Sequence, residues 1–276
     1  MKTEVKYLMY KGDIIDMHAH IYPQKIADKA VHSIENFYDI YAEGNGTPAM
    51  LVENGSRFNV KTFLVHSTAT KVEQVTHIND FILTQLQIYP CFVGFGTLHY
   101  GMSGEEILKE TERIASSGIS GVKLHPDCQH FIIDDPIMDN IYSACRDHGL
   151  PILIHTGDRR YTNSRPERLA ATARRFPNLK FIAAHFGGYS CWDSVKCYEG
   201  CDNVWFDTSS SLFKLPAEQA MDLIEFFGPE RYFFGTDYPL FGYEKEIARF
   251  FALPLDDEKQ KSILHDNAAA FLGLNG

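Results

Sequence analysis

Eight short runs of apolar, β-branched and aromatic residues recur along the chain, at residues 14–20, 61–67, 92–98, 121–126, 151–157, 179–188, 204–210 and 231–239. From the second run onward their starts lie 25 to 31 residues apart. That interval holds a strand, a loop, a helix and a second loop. Regular alternation of this kind predicts a parallel sheet with crossover helices, and eight units predict an α/β fold of the closed (β/α)8 TIM-barrel type. The segments between the runs agree. Residues 104–117 carry Ile107, Leu108, Ile114 and Ala115 with charges between them and end at Gly118. Further segments open at Asp135-Pro136, Pro166 and Pro216 and close at Gly149, Pro177 and Gly228. Such openings and stops bracket helices.

One stretch breaks the rhythm. Residues 22–60 are too long for one crossover helix and contain Glu43-Gly44-Asn45-Gly46-Thr47-Pro48. They read as a helix, a flexible loop and a second helix, a β1–α1 insertion that distorts the barrel. Its use is either a lid over the site or a plain surface insertion. Residues 1–11 read as a lead-in. No linker or low-complexity tract divides the chain, so residues 1–276 are expected to form a single domain.

With 45% hydrophobic residues the chain can bury a large core, and its formal net charge of -10 argues against a nucleic-acid or anionic-membrane surface. A small-molecule substrate is the default. The six cysteines are scattered, and Cys191, Cys197 and Cys201 lack C-x-x-C spacing. With no secretory signal before them they fit reduced thiols in a cytoplasmic protein. No apolar run approaches the roughly 20 residues of a membrane span.

In a (β/α)8 barrel the active site lies at the C-terminal ends of the strands. The first run ends His18-Ala19-His20, and strand alternation puts both histidines on one face. Such a pair either holds a divalent ion with help from other segments or packs as a hydrogen-bonded pair. The fourth run places Lys123 and His125 on one face before Pro126. The fifth ends His155-Thr156-Gly157, the sixth Ala184-His185-Phe186-Gly187-Gly188, and the eighth Gly235-Thr236-Asp237-Tyr238-Pro239. Asp207 and Ser209 close the seventh, and His66 in the second reads as a packed residue. Each has an ordinary structural use alone. Together, at one end of a barrel, they read as a metal or acid–base site.

These segments, in this order and over nearly the whole chain, resemble the amidohydrolase superfamily. The narrower likeness is to the branch that holds amidohydrolase-related TIM-barrel hydrolases and aminocarboxymuconate-semialdehyde-type decarboxylases. Residues 263–274 are similar to that branch's terminal helix. The resemblance implies a divalent metal held by His18, His20, His155 and Asp237. Three imidazoles and a carboxylate suit Zn2+ or a similar ion such as Mn2+, with one position left for water. The resemblance also implies that Asp237 takes the proton of that activated water, while His185 polarises a carbonyl or shuttles a proton. The alternative for His185 is a structural histidine of the Gly-Gly loop.

In urease-like members the strand-four lysine is carboxylated and bridges two ions. That would make Lys123 the bridge and give His155 and His185 to the second ion. The decarboxylase-related branch favours one ion, with Lys123 binding substrate or pairing with a carboxylate. His125 is either a substrate contact or a capping residue. Arg159 and Arg160, beside the fifth run, either fork a carboxylate substrate or pair with local acids such as Asp158. The first functional reading is metal-dependent hydrolysis of an amide, lactone or ester. The second is metal-dependent decarboxylation of an aromatic or unsaturated acid, and the third a non-catalytic metal-binding barrel. Barrels of this branch commonly pair, so a homodimer is a further expectation.

Overall fold

The computed structural model describes residues 10–274, so all but the last two residues of the expected lead-in lie outside them. β1 (Ile14–His20) is buried along nearly its whole length, and α1 (Gln24–Tyr38) and α2 (Pro48–Ser56) follow it. The expected two-helix insertion is present. Thr47 caps α2 by accepting a hydrogen bond from Met50 N at 3.4 Å, and Pro48 at the first helical position needs no N–H partner. The loop between the helices is tied to the end of the eighth run. Gly44 N donates to Pro239 O at 2.9 Å, and the Tyr238 hydroxyl lies 3.3 Å from Asn45 Oδ1.

The remaining order is β2 (Val60–His66), α3 (Val75–Ile88), β3 (Phe92–Gly96), α4 (Gly104–Ser116), β4 (Gly121–Leu124), α5 (Pro126–Gln129), α6 (Asp139–Asp147), β5 (Ile152–Ile154), α7 (Pro166–Arg175), β6 (Phe181–Ala183), β7 (Val204–Asp207), α8 (Ala217–Phe227), β8 (Tyr232–Phe233), α9 (Tyr243–Phe251), α10 (Asp257–Lys261) and α11 (Asn267–Leu272). The strands form one sheet in the order β1 to β8, with parallel pairing from β3 through β7. The chain leaving β8 returns to β1. Met17 N donates to Phe234 O at 2.9 Å, Asp237 N to His18 O at 2.8 Å and His20 N to Tyr238 O at 2.7 Å. This is a distorted (β/α)8 barrel. A 3-10 segment, Trp192–Tyr198, replaces the α-helix between β6 and β7, and β8 is only two residues long.

The chain groups into two compact units, residues 66–207 and the segments on either side of them. In the unit holding β1 and β8, Phe63 packs on Tyr243 and Phe234 on Phe250, with ring centroids 6.3 and 5.9 Å apart. Phe250 and Phe251 are buried, which assigns both to packing. In residues 66–207, Tyr142 meets Phe176 and Phe181 edge-on, and its hydroxyl donates to Ile133 O at 2.7 Å. Fully burying one such ring contributes roughly 1.5–3 kcal/mol. No helix among the described residues is long and apolar enough to cross a membrane.

Candidate metal centre

The unit that holds β1 and β8 gathers three of the expected ligands. His18 Nε2 lies 3.4 Å and His20 Nε2 3.3 Å from Asp237 Oδ1. Donors held about 2.1 Å from one tetrahedral ion are about 3.4 Å apart, so these separations fit a divalent cation. His18 is fully buried, whereas the His20 and Asp237 side chains are 12% and 9% exposed, which leaves an approach from one side.

Two serines orient these groups. Ser209 Oγ pairs with His18 Nδ1 at 3.0 Å, which leaves Nε2 facing Asp237. Ser210 Oγ donates to Asp237 Oδ2 at 2.5 Å, which leaves Oδ1 facing the imidazoles. Asp237 and Ser210 both have left-handed backbone, φ 62° and 47°. That conformation costs an L-residue roughly 1–2 kcal/mol. Neither serine was given a role from the sequence. Only their positions after β7 hinted at one.

Beneath His18, on the same face of β1, Asp16 is fully buried and accepts four hydrogen bonds. Burial pushes its carboxyl up to about 6, opposed by the bonds from Tyr243, Thr236 and His18. Sequence reasoning passed over it, because an aspartate inside an apolar run carries no local sign of its partners.

Residues 66–207 gather the other histidines. His155 Nδ1 lies 3.0 Å from His185 Nε2, and the rings of His125 and His155 stack in parallel with centroids 4.1 Å apart. His125 caps α5, its Nδ1 accepting from Cys128 N at 3.3 Å, so the capping use is realised. Asp127, 2% exposed, lies 3.8 Å from His155 Nε2 and accepts from Ser164 Oγ at 2.6 Å, while its Oδ1 has no partner. Burial pushes its carboxyl up to about 7, opposed by the Ser164 bond. The donors of His125, Asp127 and His155 are close enough together for a cation.

His185 is held by its backbone. Its N–H donates to Asp207 Oδ1 at 3.0 Å, its carbonyl accepts from Trp192 Nε1 at 2.9 Å, and its φ is 63°. Asp207 thus fixes a backbone amide of the histidine loop. Gly157 lets the His155 loop approach that loop. Its φ is +90°, and a Cβ there would sit 2.4 Å from Tyr189 N and O. Lys123 and His66 are buried, at 1% and 0% exposure. Arg159 bonds Asp193 at 2.8 Å, and Arg160 grips the buried Asp158 with Nε and Nη2 at 3.0 and 2.6 Å. Both arginines therefore take the local-acid pairing.

A family model described as amidohydrolase matches residues 15–274. The chain belongs to the amidohydrolase family. Among solved structures it is similar to an uncharacterised TIM-barrel protein from Bordetella bronchiseptica, with TM-score 0.78 and 18% identity over 95% of this chain and 99% of that one. It is also similar to 5-carboxyvanillate decarboxylase from Sphingomonas paucimobilis, with TM-score 0.73 and 17% identity over 95% and 99%. A third is a dihydroxybenzoic acid decarboxylase from Polaromonas sp. with bound manganese and the inhibitor 2-nitroresorcinol, with TM-score 0.73 and 15% identity over 96% and 98%. At these identities the likeness shows the shared barrel. No curated protein matches the chain by sequence.

The two donor sets and the family place a divalent-metal enzyme of the amidohydrolase superfamily on this barrel.

Proposed function

We propose that the chain is a metal-dependent carboxy-lyase that removes CO2 from a small aromatic or unsaturated acid. His18, His20, His155 and Asp237 hold one divalent ion, and residues 1–276 work as one domain. The observation that carries the metal assignment is the approach of both His18 and His20 to Asp237 Oδ1, at 3.4 and 3.3 Å. Two of the similar structures are decarboxylases of aromatic acids and one of them holds manganese, which supports a lyase and gives Mn2+ a place beside Zn2+. This reverses the order in which hydrolysis and decarboxylation stood in the sequence reading.

A divalent ion bound there supplies Lewis-acid polarisation of substrate oxygens. The chain's own residues orient the acid and move the proton. The bond between carboxyl carbon and substrate carbon breaks, its electron pair stays on the substrate carbon, CO2 departs and a proton takes its place. His185 and Asp237 are the proposed proton carriers. Lys123 and His125 are proposed substrate contacts, and Arg160, anchored by Asp158, is a proposed rim contact for a carboxylate.

The test supplies the purified protein with Mn2+ or Zn2+ and a panel of hydroxylated aromatic acids, unsaturated acids, lactones and amides, measuring both CO2 release and ring or amide opening. Metal-dependent CO2 release that Asp237→Ala abolishes supports the lyase. Hydrolysis alone would return the assignment to the amide, lactone or ester reading, and metal uptake without any turnover would point to the non-catalytic barrel.

A further inference from the structure

We propose that Asp16 is a positioning residue that sets the separation of His18 and Asp237 and thereby the affinity for the divalent ion. This deepens the proposed function and rests on its assignment of His18 and Asp237 as ligands.

Asp16 sits two residues before His18 on the same face of β1 and has no exposed surface. Its Oδ1 accepts from His18 N at 3.0 Å and from Thr236 N at 3.1 Å. Its Oδ2 accepts from Thr236 Oγ1 at 2.7 Å and from the Tyr243 hydroxyl at 2.6 Å. One carboxylate therefore grips the backbone of one ligand and, 220 positions along the chain from Asp16, the residue immediately before another. The Asp237 N–H to His18 carbonyl bond, at 2.8 Å, completes a frame in which both backbone polar groups of His18 are held. Thr236 is fixed further, because its Oγ1 accepts from Tyr238 N at 3.1 Å.

Only an acceptor with two oxygens fills this position. A carboxylate offers about four lone-pair sites, and four donors occupy them. An asparagine in its place keeps one oxygen for the two backbone N–H groups and turns its amide toward Thr236 Oγ1 and Tyr243, whose hydroxyls can rotate to accept. The fold can then survive while the grip near the two ligands loosens. Tyr243 stands apart from this grip. It belongs to α9, bonds Oδ2 and also meets the Thr236 side chain, but it leaves both backbone N–H bonds to Oδ1 untouched.

The experiment measures the Mn2+ dissociation constant by competition with a chelator, and unfolding by urea, in wild-type protein and in Asp16→Asn, Thr236→Val, Thr236→Ser, Tyr243→Phe and His18→Ala. Partners that orient metal ligands typically change affinity 10- to 100-fold, so Asp16→Asn is expected to weaken Mn2+ binding by at least about tenfold. Thr236→Val should weaken it in the same direction, and Thr236→Ser, which restores the hydroxyl, should recover it. Tyr243→Phe, which keeps both backbone N–H bonds to Oδ1, should lower stability and weaken Mn2+ binding less than Asp16→Asn. Wild-type affinity in both Asp16→Asn and Thr236→Val would overturn the proposal, as would an affinity loss in Tyr243→Phe as large as that in Asp16→Asn. If Asp16→Asn does not fold, the Thr236→Val and Thr236→Ser pair decides. Undiminished Mn2+ binding by His18→Ala would instead overturn the ligand assignment.

Discussion

Glu246 lies on α9 with 2% of its surface exposed and bonds the Arg249 guanidinium. Burial pushes its carboxyl from an ordinary 4.5 up to about 7. The Arg249 bond pulls the other way, and the charges of Asp237 and Glu43 add to the rise. A carboxyl whose folded-state pKa is raised binds its proton more tightly folded than unfolded. Its contribution to stability is complete below the unfolded value near 4.5 and is lost as pH rises through about 7. At 1.36 kcal/mol for each pH unit between the two values, the loss comes to roughly 3 kcal/mol. Glu246→Gln removes this titration and keeps a polar partner for Arg249. Urea unfolding of metal-free wild type and Glu246→Gln, side by side from pH 4 to pH 8, isolates it. The variant should gain roughly 3 kcal/mol relative to wild type across that range. Parallel profiles would refute the reasoning, and so would a gap that opens in favour of wild type as pH rises.

Mn2+ at a hundred times its dissociation constant should stabilise the wild-type protein by about 2.7 kcal/mol in thermal or urea unfolding. His18→Ala and Asp237→Ala should show no such gain and no activity. His185→Ala should keep the metal, measured as ions per chain by elemental analysis, and lose turnover. Loss of metal in that variant would count for a two-ion site with Lys123 as the bridge. Gly157→Ala forces a side chain onto Tyr189 backbone atoms 2.4 Å away at a φ of +90°. It should destabilise by roughly 2–5 kcal/mol in urea unfolding, and a loss below about 1 kcal/mol would show that the two loops part easily.

The barrel was legible because its cause is local. A strand that is buried on both faces must be apolar, a crossover helix needs a striped face and stops, and both leave their period in the sequence. β1 begins and ends as the run at 14–20 does. The other runs extend beyond their strands, by two residues at β4 and by six at β8, which ends at Phe233 where its run continues to Pro239. Residues 234–239 are just as buried. Left-handed backbone at Asp237, four residues past the strand, turns the chain there, and composition does not report that. The His18 and His20 pair was legible for the same reason as the strand, since alternation fixes which side chains share a face.

What composition and period leave open is which distant group each polar side chain meets. Asp16, Ser209 and Ser210 are unremarkable in the sequence, yet they hold His18 and Asp237 through bonds that span as many as 220 residues. From the sequence Arg160 had two uses, a substrate clamp or a local pair, and His125 two, a substrate contact or a cap; only the fold shows Asp158 meeting Arg160 at 2.6 Å and Cys128 N meeting His125 Nδ1 at 3.3 Å. The sequence by itself determined the repeating unit, the number of units and the chemical types gathered at the strand ends, because burial and backbone geometry act over a few residues. The tertiary structure alone decided which oxygen or nitrogen faces which, because a hydrogen bond forms or fails over a few tenths of an ångström, and that distance is set by the packing of the whole barrel.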